Sequence, residues 1–241
     1  MTNKKPWMMK VTSSTKAEID INGEITTDKW DDADTTSASF RDDLKQLGDV
    51  GLINLHINSP GGSVFDGISI FNQLKQNKAK VNVYIDGLAA SIASVIAMSG
   101  DAIYMPSNSM LMIHNPWTMV AGNAKELRKQ ADDLDKVGET AVTTYLERSN
   151  GKIGEQKLRQ LMDDETWLSA QESVDYGLAD KVLEPNQMAA SINKDYEDVY
   201  KHIPKSLIQN NNQMSEYRQK LIEKSKQENA EIEKQIGGIN R

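Results

Sequence analysis

The chain of 241 residues contains no cysteine. That absence excludes disulfides and thiolate chemistry and fits a reducing compartment. No uncharged apolar run approaches the ~20 residues that span a bilayer, so no membrane partner is expected. The longest candidate, Leu88 to Ser99, is short and rich in small residues. The opening residues carry Lys4 and Lys5 but no apolar h-region, so 1–16 read as an N-terminal arm and not as a secretory signal. Basic residues are outnumbered, 28 Lys and Arg against 35 Asp and Glu, and the net charge of −7 argues against sequence-independent nucleic-acid binding. No Gly-x-Gly-x-x-Gly or Walker lysine is present to cradle a phosphate. No cofactor and no metal is expected. Histidine is scarce: His56, His114 and His202 are the three.

With 38% apolar and 26% charged residues, the length suits one large domain and an appendage. Ala17 to Ile25 alternates as a strand and turns at Gly23. Phe40, Leu44 and Leu47 recur at helical spacing. Leu52 to Ile57 reads as a strand running into Asn58-Ser59-Pro60-Gly61-Gly62, and Val64, Ile68 and Phe71 mark a helix leaving it. Val81, Val83 and Ile85 form a strand ending at Asp86-Gly87, and Ser91 opens a helix through about Ser99. Ala102 to Met105 and Met110 to Ile113 are short strands. Strand and helix alternate at short intervals, which predicts an α/β fold with a largely parallel sheet.

A long helix is predicted over Asn123 to Arg148, with Leu127, Ala131, Leu134, Val137, Ala141 and Tyr145 on one apolar stripe and Asn150-Gly151 as its stop. A second runs from about Gly154 to Met162. Ser169 to Glu172 reads as a capping box, with Gly177 just past its helix. After Glu184 the texture changes: Gln209 to Gln213 is an Asn/Gln run, and Ser215 to Ile236 is rich in Lys, Glu and Gln with few larger apolar residues. Residues 185–241 read as a polar arm, partly helical or disordered.

Three stretches carry chemistry: Asn58 to Gly62, Gly87 to Ser94, and Met112-Ile113-His114-Asn115-Pro116. A nucleophilic serine needs a base for its proton and amide donors for the oxyanion. Ser91 follows small residues at a strand-to-helix turn, where a helix dipole favours developing negative charge. An N-cap serine accounts for the same position by local physics alone, and Ser94 and Ser99 are weaker candidates inside the helix. Gly61 and Gly62 are either a simple turn or a loop whose bare backbone approaches substrate. His114 ends an apolar strand. His56 reads as a sheet-face or core histidine.

Taken together with Trp167-Leu168-Ser169-Ala170 and Tyr176-Gly177-Leu178-Ala179-Asp180, these motifs resemble the Clp protease proteolytic subunit, ClpP, and most of all the ClpP-related head-maturation proteases of tailed phages and prophages. The likeness covers roughly residues 18 to 184. Its phage side rests on Asn115-Pro116-Trp117, Glu165-Thr166-Trp167 and the long tail. The resemblance implies a ClpP/crotonase-type fold of repeated β-β-α units with a projecting helical segment. It implies a serine endopeptidase in which Ser91 attacks, His114 takes the proton, Gly62 and Ile92 amides hold the oxyanion, and Gly61 and Pro116 contact substrate. The family places an aspartate where Glu165 stands; Asp164 and Asp163 are alternatives, and a dyad with three solvated acids is another. The resemblance further implies a homo-oligomer, a heptameric ring or stacked rings with the long helix at the ring interface, acting on protein or peptide in the cytoplasm of a bacterium or infected host. Capsid or scaffold proteins are the implied substrates, and an ATP-driven unfoldase partner is left open. Two other readings stay open: a ring that has lost activity and serves assembly, and a crotonase-like acyl-CoA enzyme.

Overall fold

A computed structural model describes residues 7–26, 37–185, 192–193, 200–204 and 208–209. These fall into two units, one within Met1–Ser191 and one within Ile192–Arg241.

The first unit is a mixed α/β fold. Its strands are β1 (Trp7–Ser13), β2 (Lys16–Asn22), β3 (Leu52–Ser59), β4 (Lys80–Ala90), β5 (Ala102–Pro106), β6 (Met110–Ile113), β7 (Thr166–Ser169) and β8 (Lys181–Leu183). Its helices are α1 (Ser37–Gln46), α2 (Val64–Gln76), α3 (Ile92–Ala97), α4 (Ala124–Ser149), α5 (Glu155–Asp163) and α6 (Ala170–Asp175). The sheet runs β1-β2-β3-β4-β5-β8, parallel from β2 onward, while β1 forms an antiparallel hairpin with β2. The sequence reading had no strand in 1–16. Trp7 to Val11 lacks the alternating pattern, and pairing with β2 supplies the order that local pattern does not.

Period-2 alternation sorts the sheet's two faces. Ile19, Ile21, Ile53, Leu55, Ile57, Val81, Val83, Ile85 and Ile103 point into the core. Between them Glu18, Asp20, Asn54, His56, Asn82, Tyr84 and Tyr104 make a half-buried polar face.

Strand β4 is longer than its apolar alternation predicted, because it serves two partners in turn. Asn82 to Tyr84 pair with β5, and Leu88 to Ala90 pair with β6. Gly87, Ala89 and Ala90 look like a turn in sequence, yet they continue the strand. The ladder to β6 takes up Leu88 to Ala90, and the small residues suit a fully buried layer.

Helix α4 begins at a capping box of Asn123 and Glu126 and stops at Asn150, whose φ of 50° reverses the chain. The predicted single stripe divides in two. Gly138, Val142 and Tyr145 are buried in the protomer's own core, whereas Leu127 is 42% exposed in the first half of the helix. Tyr145 is therefore a core residue and does not belong to an outward-facing stripe. The capping box at Ser169 and Glu172 forms as read, and Gly177 adopts φ 77°.

In the second unit β9 (Ile192–Asn193) and β10 (Ile208–Gln209) pair in parallel, and Tyr200 is buried. The reading over 185–241 held no strand; its helical candidate, Ser215 to Ile236, lies outside the described residues.

Candidate active site

The three motifs meet at the carboxyl ends of β3, β4 and β6, because these strands are adjacent and parallel. Ser91 is the corner residue between β4 and α3, with φ 55° and ψ −128°. A non-glycine residue held there costs on the order of 1–3 kcal/mol, so the surroundings must impose it. Its N–H donates to the Met112 carbonyl at 3.0 Å, extending the β4–β6 ladder by one residue. That register brings Ser91 beside the strand ending at Ile113, and His114 follows directly. His114 Nε2 lies 2.7 Å from Ser91 Oγ. The Ser91 side chain makes no helix-capping bond, so the N-cap alternative does not describe it.

The three candidate acids differ in their placement relative to His114. β6 and β7 are antiparallel, with Met112 opposite Trp167 and Ile113 opposite Thr166. One step further sets His114 opposite Glu165. Glu165 is 8% exposed and sits at φ 49°, while Asp163 and Asp164 are exposed. Asp163 instead accepts the Asn115 side-chain amide at 2.7 Å. Burial holds the His114 imidazole below its ordinary pKa, and the Glu165 carboxylate pushes the other way.

The glycine loop is fastened to the segment that follows β2. Ile25 N–H donates to the Gly61 carbonyl at 2.8 Å, and Ser63 N–H donates to the Ile25 carbonyl at 2.6 Å. A Cβ on Gly62 would lie 2.0 Å from the Ile25 oxygen, and one on Gly61 would lie 2.7 Å from both the Ala90 oxygen and the Ser91 Cβ. Only glycine permits backbones this close at φ 139° and 96°. Among the described residues, neither the Gly62 nor the Ile92 amide donates a turn, loop or cap hydrogen bond. The Ile92 side chain occupies space that Gly67 of α2 leaves open; a Cβ there would lie 2.1 Å from Ile92 Cγ1.

Beside Ser91 and His114 an apolar cleft is lined by Val64, Ile68, Val95, Pro116, Val137 and Ala141, with Tyr145 also on its wall. Ser94 is fully buried with its hydroxyl already bonded, and Ser99 is buried too, so neither is presented to this cleft. His56 belongs elsewhere: it lies on the polar sheet face, bonded through Nδ1 to Asp86 at 2.8 Å and stacked on Tyr84. The bond to Asp86 raises its pKa, against the opposing effect of burial. The site has two residues that pattern reading did not single out for it, Gly67 and Tyr145. Gly67 carries no local signal, and the helical stripe drew Tyr145 to the wrong partner.

Among the described residues no group of His, Asp and Glu side chains is arranged to hold a metal ion. No described helix is long and apolar enough to cross a membrane.

Residues 15–186 match the Clp protease family model. The chain belongs to the Clp protease family. The chain is 35% identical to the ATP-dependent Clp protease proteolytic subunit 1 of Prochlorococcus marinus subsp. pastoris over 134 residues, 55% of this chain and 67% of that protein. It is 33% identical to the ATP-dependent Clp protease proteolytic subunit of Deinococcus radiodurans over 135 residues, 55% of this chain and 65% of that protein. The subunit 1 of Prochlorococcus marinus strain MIT 9312 is 37% identical over 134 residues, covering 55% and 68%. The matched part of this Clp protease family member therefore spans about two thirds of these relatives' length.

Proposed function

We propose that this Clp family member is a serine endopeptidase that works through an acyl-enzyme. The observation that carries the proposal is the 2.7 Å contact between Ser91 Oγ and His114 Nε2 at the open end of the sheet. Neutral His114, with its proton on Nδ1, accepts the Ser91 hydroxyl proton as Oγ attacks a peptide carbonyl. Glu165 faces the imidazole and stabilises the cation that forms, and the Gly62 and Ile92 amides take up the oxyanion charge. His114 then returns the proton to the leaving amine, and water repeats the sequence to release the acyl group. Glu165 holds its carboxylate from a left-handed backbone, φ 49°. Gly61 and Pro116 border the substrate path.

In this reading the fold is of ClpP/crotonase type, and the chain forms a homo-oligomer, a heptameric ring or stacked rings. The exposed apolar residues Trp117, Met119, Val120 and Leu127, clustered before and on the first half of α4, support an assembly face there. The substrate class we favour is capsid or scaffold protein during phage head maturation, on the motif variants at Asn115-Pro116-Trp117 and Glu165-Thr166-Trp167. The relatives are named as ATP-dependent Clp protease subunits; an unfoldase partner for this chain is a separate question.

A fluorophosphonate probe tests the chemistry. Wild type should be labelled at Ser91, and Ser91→Ala should lose both label and peptide hydrolysis while keeping its oligomeric mass. An unlabelled wild-type protein, or an active Ser91→Ala, would refute the assignment and favour the acyl-CoA or assembly reading.

A further inference from the structure

Behind the nucleophile two buried hydroxyls form a chain that ends on its carbonyl. The Ser91 carbonyl accepts from the Ser94 N–H at 3.0 Å and from Ser94 Oγ at 2.5 Å. Ser94 Oγ is also 2.6 Å from the Tyr145 hydroxyl, which comes from α4. The direction of each bond follows from proton count. A carbonyl only accepts, and serine has one hydroxyl proton. Ser94 gives that proton to Ser91, so Tyr145 O–H donates to Ser94 Oγ. Both residues are buried, and burial raises the Tyr145 pKa, so the phenol stays a donor at any working pH.

We propose that Tyr145 and Ser94 are positioning residues that aim the Ile92 N–H at the oxyanion. This rests on the serine-endopeptidase reading above. The Ser91 carbonyl and the Ile92 N–H belong to one planar trans peptide and point in opposite directions. Holding the carbonyl inward therefore turns the N–H outward, toward the cleft. The same bonds withdraw electron density from the carbonyl and make the N–H a stronger donor. The unusual ψ of −128° at Ser91 describes this rotated peptide, and a rotation of that kind needs an outside hold. The Ser94–Tyr145 pair alone would leave the Ser94 proton without an acceptor, and the acceptor it takes is the Ser91 carbonyl. The third link, onto the nucleophile's own carbonyl, is what connects the pair to chemistry.

The test compares wild type, Tyr145→Phe, Ser94→Ala and the double variant. Each is assayed for peptide hydrolysis, for inhibition by a peptide aldehyde and for fluorophosphonate labelling, with a melting curve for folding. Addition of the aldehyde to Ser91 creates an oxyanion, so its affinity reports the Ile92 donor. Outright loss of an oxyanion donor costs about 10²–10³ in kcat, so a misaimed one should cost less. Tyr145→Phe should lower kcat roughly 3- to 10-fold, the size of one net hydrogen bond, and Ser94→Ala roughly 10- to 100-fold. KM should stay within about 2-fold, aldehyde affinity should fall in step with kcat, and the acid limb of the pH profile should not move. In the Ser94→Ala background Tyr145→Phe should add nothing, because its effect travels through Ser94. Losses that multiply in the double variant, a loss confined to KM, or unchanged kcat in folded Tyr145→Phe would overturn the proposal. Should Ser94→Ala fail to fold, Tyr145→Phe, which removes one buried oxygen only, decides alone. An unlabelled and inactive wild type overturns the underlying reading; an active wild type with an unaffected Tyr145→Phe overturns this inference by itself.

Discussion

Gly61→Ala should silence the site without unfolding the chain. The new Cβ would stand 2.7 Å from the Ala90 oxygen and the Ser91 Cβ and 3.3 Å from the Ile92 nitrogen. Ordinary carbon contacts begin near 3.5 Å, so the loop must retreat by about 0.8 Å. None of these three atoms is the loose end of a side chain, so the glycine loop and the Ser91 corner must separate. Overpacking of this kind costs about 1–3 kcal/mol. Alanine at φ 96° adds strain of about the same size. The sum, roughly 2–6 kcal/mol, is within the 5–15 kcal/mol stability usual for a domain, so most molecules stay folded. Catalysis is less forgiving, since a misplacement near 1 Å can cost about 10²-fold. Gly48→Ala is the matched control: it has φ 68° but nothing within 4 Å of the added atom, so it carries backbone strain alone. The assay is kcat/KM on a peptide substrate beside melting curves for both variants. Gly61→Ala should lose about 100-fold or more in kcat/KM and melt several degrees lower, at 2–4 °C per kcal/mol for a domain this size. Gly48→Ala should melt slightly lower and keep its activity. A Gly61→Ala protein within about 3-fold of wild type would show that the loop does not abut the reacting atoms as described.

Hydrolysis should rise with pH through the titration of His114, with its midpoint below the ordinary histidine value near 6.5, because burial depresses that pKa. Glu165→Gln removes the one charge that raises it, so the acid limb should move to still lower pH while kcat falls; the same changes in Asp163→Asn or Asp164→Asn instead would transfer the role. Leu127→Glu with Leu134→Glu should lower the oligomeric mass in light scattering and leave the fold intact, because Leu127 is exposed on the first half of α4 while the buried residues of that helix lie from Gly138 onward. A chain ending at Glu184 should keep its fold and its small-peptide activity; an insoluble product would make the arm part of the catalytic unit.

Much of this protein was legible in one dimension. The alternation of Ile19, Ile21, Ile53, Leu55, Val81 and Val83 names its own buried face, because a strand's side chains have a period of two. Ser169 with Glu172 announces a helix start because capping is a contact between residues three apart. The order of glycine loop, serine and histidine could be read the same way. Local pattern misled where the answer lay in a distant partner. Gly87 to Ala90 looks like a turn and is a strand, since β6 supplies its hydrogen bonds. Trp7–Ser13 has little pattern and is ordered by β2. Tyr145 completes an outward stripe in sequence and is buried in the core.

The sequence by itself determined which residue types were available for chemistry: three histidines, no thiol, and a serine at a strand's end. Residue type alone could not separate the three neighbouring carboxylates as partners for His114; only the family resemblance favoured Glu165, and their surroundings differ once β7 is laid against β6. That antiparallel register sets Glu165 opposite His114 and leaves Asp163 and Asp164 exposed. Nor could it give Ser91 its backbone. A serine prefers negative φ, and this one, bonded to the Met112 carbonyl on one side and to Ser94 on the other, stands at 55°. Those are contacts between segments far apart or folded back upon themselves, and their geometry exists only after the strands have paired.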